Sequence, residues 1–124
     1  MANNLRISQS NVTVLNLRSI KTIETAVGVI RKSGDAAAAD ALRDITEAIA
    51  KDEVLDVATK HSAIDAVSVL AHEGASPSAT RRPSIVRSTI LVLAGHIQTA
   101  PAVTAAWNSC VPIIKNYFGL YDER

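Results

Sequence analysis

Cysteine is almost absent from this sequence, and its scarcity excludes two kinds of structural cross-link. Cys110 is the only cysteine among 124 residues. No disulfide can therefore form within the chain, and no zinc site can be built on cysteine ligands. Residues 1–6 also lack the apolar run of a secretory signal. We expect a cytoplasmic protein, since a reducing compartment suits such a chain.

The motifs that mark common enzyme classes are also missing. Neither GxxxxGK[ST] nor GxGxxG occurs, so we do not expect nucleotide hydrolysis. His61, Asp65 and His72 share one predicted helix face but span too many turns for one metal ion to reach all three. Cys110 falls on an apolar face, where a small buried side chain is the ordinary expectation. We predict a non-enzymatic protein with no catalytic residues, metal, cofactor or small-molecule substrate.

Aromatic residues are scarce and confined to the C-terminal end. They make up 3% of the chain and are Trp107, Tyr117, Phe118 and Tyr121. The remaining core must be aliphatic, and an alanine-rich core with few glycines and prolines favours close-packed helices. Trp107 is large enough to anchor either the core or an interface, and we favour the core.

A long uninterrupted apolar run is lacking as well. Residues 88–114 carry no formal charge, but polar residues, two prolines and a predicted turn interrupt them. Because a membrane span needs about eighteen or more apolar residues in succession, we prefer a buried helical hairpin for this segment. A peripheral membrane or pore-forming element remains the alternative.

Apolar spacing predicts an all-α fold, a bundle of four to five helices over residues 19–120. The expected helices are 19–32, 36–51, 54–72, 82–97 and a last one that begins after a cap at Gln98 or Thr99 and ends at Phe118. Val54 and Val57 begin the predicted core face of the third helix, and residues 73–80 form the clearest loop. The apolar residues of the fourth helix are so widely spread that we expect it to be surrounded on most sides.

The N-terminal extension, residues 1–18, has a different pattern. Val12 and Val14 alternate with polar residues as in a β-strand, and a bulge would absorb the shift in phase at Leu15 and Leu17. The extension is therefore a strand or hairpin that pairs with another element or another copy, an early start of the first helix, or a frayed end. Residues 121–124 form a loose polar tail.

One apolar stripe suits contact between copies of the chain. Ile20, Ile23, Val27 and Ile30 follow a 3-4-3 spacing, which also occurs in short helix–helix seams. The full set of interface candidates is Val12, Val14, Leu15, Leu17, Ile20, Ile23, Val27, Ile30, Trp107 and Phe118.

Charge is unevenly distributed along the chain although the net charge is only +1. Acidic residues dominate residues 35–56, whereas residues 81–115 contain bases and no acid. We expect the two regions to face each other, within one chain or between copies. The alternative is a basic patch of Arg81, Arg82 and Arg87 that binds nucleic acid. So few basic residues, without aromatic residues between them, would attract the phosphate backbone only weakly.

Residues 40–120 resemble a helical module found at the C-terminal end of longer, uncharacterised bacterial proteins, some linked to signalling or anti-phage defence. The residues that carry the resemblance are Ala41-Leu42, Ile45, Ile64 to Val67, Leu70-Ala71, Ser76-Pro77, Arg81-Arg82, Trp107, Pro112 to Ile114 and Phe118 to Leu120. The resemblance implies an accessory or oligomerisation role and assigns no functional residues. Together with the missing enzyme motifs, the resemblance favours an assembly or adaptor module that binds a protein partner, most simply a second copy of itself.

Overall fold

The structure, a computed structural model, describes residues 17–120 and shows an all-α fold, as predicted. Within that range there are five α-helices and no strand: α1 (Leu17–Lys32), α2 (Ala36–Lys51), α3 (Val57–Ala75), α4 (Pro83–Ile97) and α5 (Pro101–Phe118), with a 3₁₀ turn at Ser78–Thr80 between α3 and α4. The predictions for the extension, including the interface candidates Val12, Val14 and Leu15, and for the tail at 121–124 lie outside the described residues.

The helices form a bundle in which α1, α2 and α3 pack together. Helix α5 lies against α2, and α4 lies against α3. Helices α4 and α5 make only slight contact with each other. The predicted buried hairpin at 88–114 is therefore wrong, because its two helices pack on different neighbours and leave Leu91 73% exposed.

The core is aliphatic, and the stripe on α1 lies inside it. Ile20 is 6% exposed, and Ile23, Val27 and Ile30 are fully buried. This stripe is used within the chain rather than between copies, since a regular apolar spacing shows that a face is covered but not which molecule covers it. Leu17, at the start of α1, is the only member of the α1 set of interface candidates that is largely exposed.

The connection from α1 to α2 follows its sequence signals closely. Gly34 has a φ of 100°, the left-handed conformation that glycine adopts without strain. The Asp35 carboxylate accepts a hydrogen bond from the Ala38 N–H at 3.2 Å and caps α2.

Helix α3 begins and ends later than the sequence suggested. The Asp52 carboxylate accepts the N–H groups of Val54 and Leu55, both at 2.8 Å, which holds a turn where a helix was predicted. Asp56 caps the helix instead, accepting from the Thr59 N–H at 2.8 Å. As a result Val54 and Val57, predicted to face the core, are exposed, and Leu55 is buried.

Helix α4 is covered on one side only. It begins at Pro83, one residue later than predicted, and its buried residues are Val86, Ile90, Leu93 and Ile97. The expectation that this helix is surrounded on most sides is wrong for residues 17–120, because Leu91 and Val92 lie on its exposed side. The N-cap position of α5 is Ala100, which provides no side-chain cap, rather than Gln98 or Thr99, and the helix continues through Pro112 to Phe118.

Candidate functional site

A polar cluster joins the end of α3 to the start of α4 and the end of α5. We call it the helix-end cluster; it comprises Glu73, Gly74, Arg81, Arg82 and Tyr117. Sequence reasoning placed Glu73 and Gly74 in a loop, whereas both are buried residues of α3.

Glu73 is the most buried charged residue of the described chain, with 2% exposure. Its Oε1 accepts the main-chain N–H of Arg82 at 2.9 Å. Its Oε2 accepts the Arg82 Nε at 3.0 Å and is also bonded by Nη2 of the same guanidinium. These contacts fix the first residues of α4 to the last turn of α3.

The contacts with Arg82 lower the pKa of the Glu73 carboxyl below its ordinary value, although burial acts in the opposite direction. Glu73 is therefore ionised at neutral pH. Because the pKa is lowered in the folded state, the contribution of this pair to stability is present at neutral pH and is lost as the pH falls through that pKa.

Arg81 caps the carbonyl end of α3. Its Nη2 donates to the Gly74 carbonyl at 2.9 Å and to the Tyr117 hydroxyl at 3.0 Å, and its Nε donates to the Ser76 carbonyl at 3.0 Å. The Tyr117 hydroxyl in turn donates to the Gly74 carbonyl at 2.7 Å. These bonds satisfy carbonyls that the end of an α-helix leaves without partners.

Aromatic rings complete the cluster. The Arg81 guanidinium carbon lies 4.8 Å from the centre of the Tyr117 ring and 5.7 Å from that of Phe118. The two rings meet edge to face at 5.3 Å. Phe118, an interface candidate from the sequence, is thus half-buried within the chain's own contacts.

The predicted basic patch is divided by these contacts. Arg81 and Arg82 bond to helix ends and to Glu73, respectively. Arg87 lies on the exposed side of α4, and none of the ion pairs within residues 17–120 includes it. In the acidic region, Asp40 pairs with Arg31 of α1 at 2.8 Å and with Arg43 of the same region at 3.4 Å.

The histidine constellation is only partly assembled. His61 Nε2 lies 3.5 Å from Asp65 Oδ2, and the Ser19 hydroxyl donates to Asp65 Oδ1 at 2.6 Å. His72 lies elsewhere, in a shallow groove between α1 and α3 that Lys21 also lines. Across residues 17–120, no three histidine, cysteine, aspartate or glutamate side chains are grouped to hold a metal ion.

Cys110 and Trp107 both lie on the inner side of α5, with 5% exposure each. Burial, and to a lesser extent the nearby charge of Asp44, raise the pKa of the Cys110 thiol to about 11. A buried thiol with a raised pKa has little nucleophilic thiolate at neutral pH.

This environment predicts a slowly reacting thiol. At pH 8 about one thousandth of a thiol with such a pKa is ionised, so we expect labelling of Cys110 by a disulfide reagent in native protein to be at least about 100-fold slower than in urea-unfolded protein. The rate in unfolded protein is the internal control. Equal rates in the two states would contradict the burial of this side chain.

Two apolar side chains of α4 are largely exposed, and one of them, Val92, lines a groove between α3 and α4. Leu91 is 73% exposed and Val92 is 51% exposed, while Val69 of α3 is 37% exposed. A shallow groove of about 250 Å³ runs between the two helices; its lining residues are Ser62, Asp65, Ala66, Val69, Ser88, Thr89 and Val92. Polar and apolar side chains therefore both line this groove.

No helix within residues 17–120 combines the length and apolar character needed to cross a membrane. No known protein family, no curated protein and no solved structure matches this chain.

Proposed function

We propose that this protein is a non-enzymatic assembly module that associates with further copies of itself. The observation that carries the proposal is the exposure of Leu91 and Val92 on α4, with Val69 of α3 exposed in the groove that Val92 also lines. The resemblance of residues 40–120 to helical accessory modules implies the same kind of role.

The energetic reason is the cost of leaving this surface in water. Burying a leucine or valine side chain that is otherwise exposed stabilises a complex by about 1.5–3 kcal/mol before the costs of association. Single exposed apolar residues are normal on any protein, but neighbouring ones on adjacent helices indicate a contact surface. Helix α4 has room for such a contact because it packs mainly on α3.

The polar groups that the fold brings together support a binding role over a catalytic one. Glu73 is saturated by donors from Arg82, and Arg81 is held by carbonyls and by Tyr117. Both interactions join helix ends. Cys110, the one strong nucleophile type in the chain, lies in the core with a raised pKa.

Light scattering over a concentration series tests the proposal. We expect the weight-average mass to rise above the 13.1 kDa of one chain as the protein concentration increases from low to several hundred micromolar. A mass that stays at 13.1 kDa throughout the series contradicts self-association.

Two binding assays on the same protein distinguish the alternatives. Self-association without binding to anionic vesicles or to duplex DNA supports the assembly role. If the protein remains monomeric and binds a random duplex in a salt-dependent way, nucleic-acid binding replaces the assembly role. If it remains monomeric and co-sediments with the vesicles, membrane binding replaces the assembly role.

A further inference from the structure

The exposed side of α4 presents a row of small or polar residues with one large apolar side chain near its centre. We call it the outer face of α4; its residues are Ser84, Arg87, Ser88, Leu91 and Gly95 of the helix and Gln98 directly after it, and all of them are exposed. Apart from Arg87, they follow intervals of four and three along the helix, which places them in one row. Leu91 is near the middle of that row and is its largest apolar side chain.

We propose, building on the proposed self-association, that two copies of this chain pair through the outer face of α4, antiparallel and with Leu91 at the two-fold axis. A two-fold contact uses the same surface on both copies, so charges near the axis would face their own kind. From Ser88 to the end of α4 the helix carries no formal charge. The centre of the outer face is therefore compatible with its own copy.

The position of Arg87 selects the antiparallel direction. In an antiparallel pair centred on Leu91, Arg87 of one copy lies opposite Gly95 of the other. That position is close to the C-terminal end of the second α4, where the helix dipole favours a positive charge. A parallel pair would instead place the two Arg87 side chains next to each other, which is unfavourable.

Gly95 is compatible with this contact. It lies within the α4 helix, where glycine costs about 1 kcal/mol relative to alanine. A Cβ at this position would have nothing within 4 Å, so packing within the described chain does not require glycine here. An open glycine leaves room for a second helix and for an arginine side chain that crosses it.

The size of the contact sets the expected affinity. Helix α4 has 15 residues, so the shared row is about 22 Å long at 1.5 Å per residue. A contact between two such helices falls well below the 1,200–2,000 Å² of typical stable complexes. We therefore expect an association in the micromolar range.

Disulfide trapping tests the contact and its register. In a Cys110→Ser background, Leu91→Cys should form a disulfide-linked dimer on mild oxidation, because cysteines link only when their Cα atoms approach within about 7 Å. Val29→Cys is the matched control, since Val29 is an exposed apolar residue of α1 with 45% exposure. We expect at least about 10-fold more dimer from Leu91→Cys than from Val29→Cys.

The register is tested by mixing two single-cysteine proteins in the same background. Arg87→Cys and Gly95→Cys should link to each other more efficiently than either links to itself. Preferential self-linking of Arg87→Cys would overturn the antiparallel arrangement. Circular dichroism spectra of all four variants check that these surface changes leave the fold intact.

The outcomes separate this inference from the proposed function. If the wild-type mass rises with concentration but Leu91→Cys links no better than Val29→Cys, the α4 contact is overturned and self-association stands. If the wild-type mass stays at 13.1 kDa, the proposed function is overturned, and this inference with it.

Discussion

Replacing Trp107 with alanine should lower the free energy of unfolding by about 3–5 kcal/mol, the range found for large aromatic side chains removed from protein cores. Trp107 is 5% exposed and lies on the buried side of α5, the helix that packs against α2. The loss follows from the cavity and from the apolar contacts that disappear. Urea unfolding followed by circular dichroism measures it, since the variant lacks the only tryptophan of the chain.

Two variants control this experiment. Trp107→Phe keeps most of the apolar volume and should cost less than Trp107→Ala, and Asn108→Ala, at the exposed neighbouring position, should change stability by less than about 0.5 kcal/mol. If Trp107→Ala left the stability of dilute protein unchanged and altered only the mass at high concentration, Trp107 would be an interface anchor and not a core residue.

Gly74→Val should lower the free energy of unfolding by about 1–3 kcal/mol through overpacking. A Cβ at Gly74 would lie 3.1 Å from Ile30 Cδ1, 3.3 Å from Tyr117 Cε2 and 3.5 Å from Phe118 Cζ. Valine adds two methyl groups beyond that Cβ, so the end of α5 must move away from α3. The shift would also disturb the hydrogen bonds of Tyr117 and Arg81 to the Gly74 carbonyl. Thermal and urea unfolding give the measurement.

A second helix glycine provides the control. A Cβ at Gly28 in α1 meets nothing within 4 Å, so Gly28→Val should be neutral or slightly stabilising. The contact between position 74 and Ile30 is tested by combining Gly74→Ala with Ile30→Val. The second change removes the Cδ1 atom that lies nearest to the new methyl group. The double variant should then be less destabilised than the sum of the single changes. Strict additivity would contradict the packing described for Gly74.

The all-α fold and most helix boundaries follow from sequence signals that act locally. Gly34 and Asp35 mark the turn between α1 and α2, and Pro83 marks the start of α4. The start of α3 was misplaced because Asp52 and Asp56 are both capping residues, and the hydrogen bonds of Asp52 to the turn decide between them. Local periodicity therefore predicts that a helix exists better than it predicts where the helix begins.

The helix-end cluster could not be predicted, because its contacts join distant parts of the chain. Arg81 and Tyr117 are separated by 36 positions, and Tyr117 and Gly74 by 43. No spacing rule relates residues that meet only after α5 has packed against the bundle. The sequence offered one chemical signal for this cluster. A carboxylate at Glu73 is followed within ten residues by the guanidinium groups of Arg81 and Arg82, which permits an ion pair between the end of α3 and the start of α4.

The periodicity of apolar residues does not tell which molecule covers a helix face. The stripe on α1 is regular, and the structure covers it with helices of the same chain. The exposed apolar residues of α4 lie in the uncharged segment 88–114, for which the sequence predicts burial. Only the packing of α4 against α3 and of α5 against α2 shows which apolar side chains remain in water.

The central claim, self-association through α4, is tested most directly by the mass in solution of Leu91→Glu beside that of Val29→Glu. Both changes place a carboxylate on an exposed apolar position, but only the first lies on the outer face of α4. Light scattering at several hundred micromolar should give 13.1 kDa for Leu91→Glu, and a larger mass, equal to that of the wild type, for Val29→Glu. A Leu91→Glu protein that retains the wild-type mass above 13.1 kDa would contradict the account.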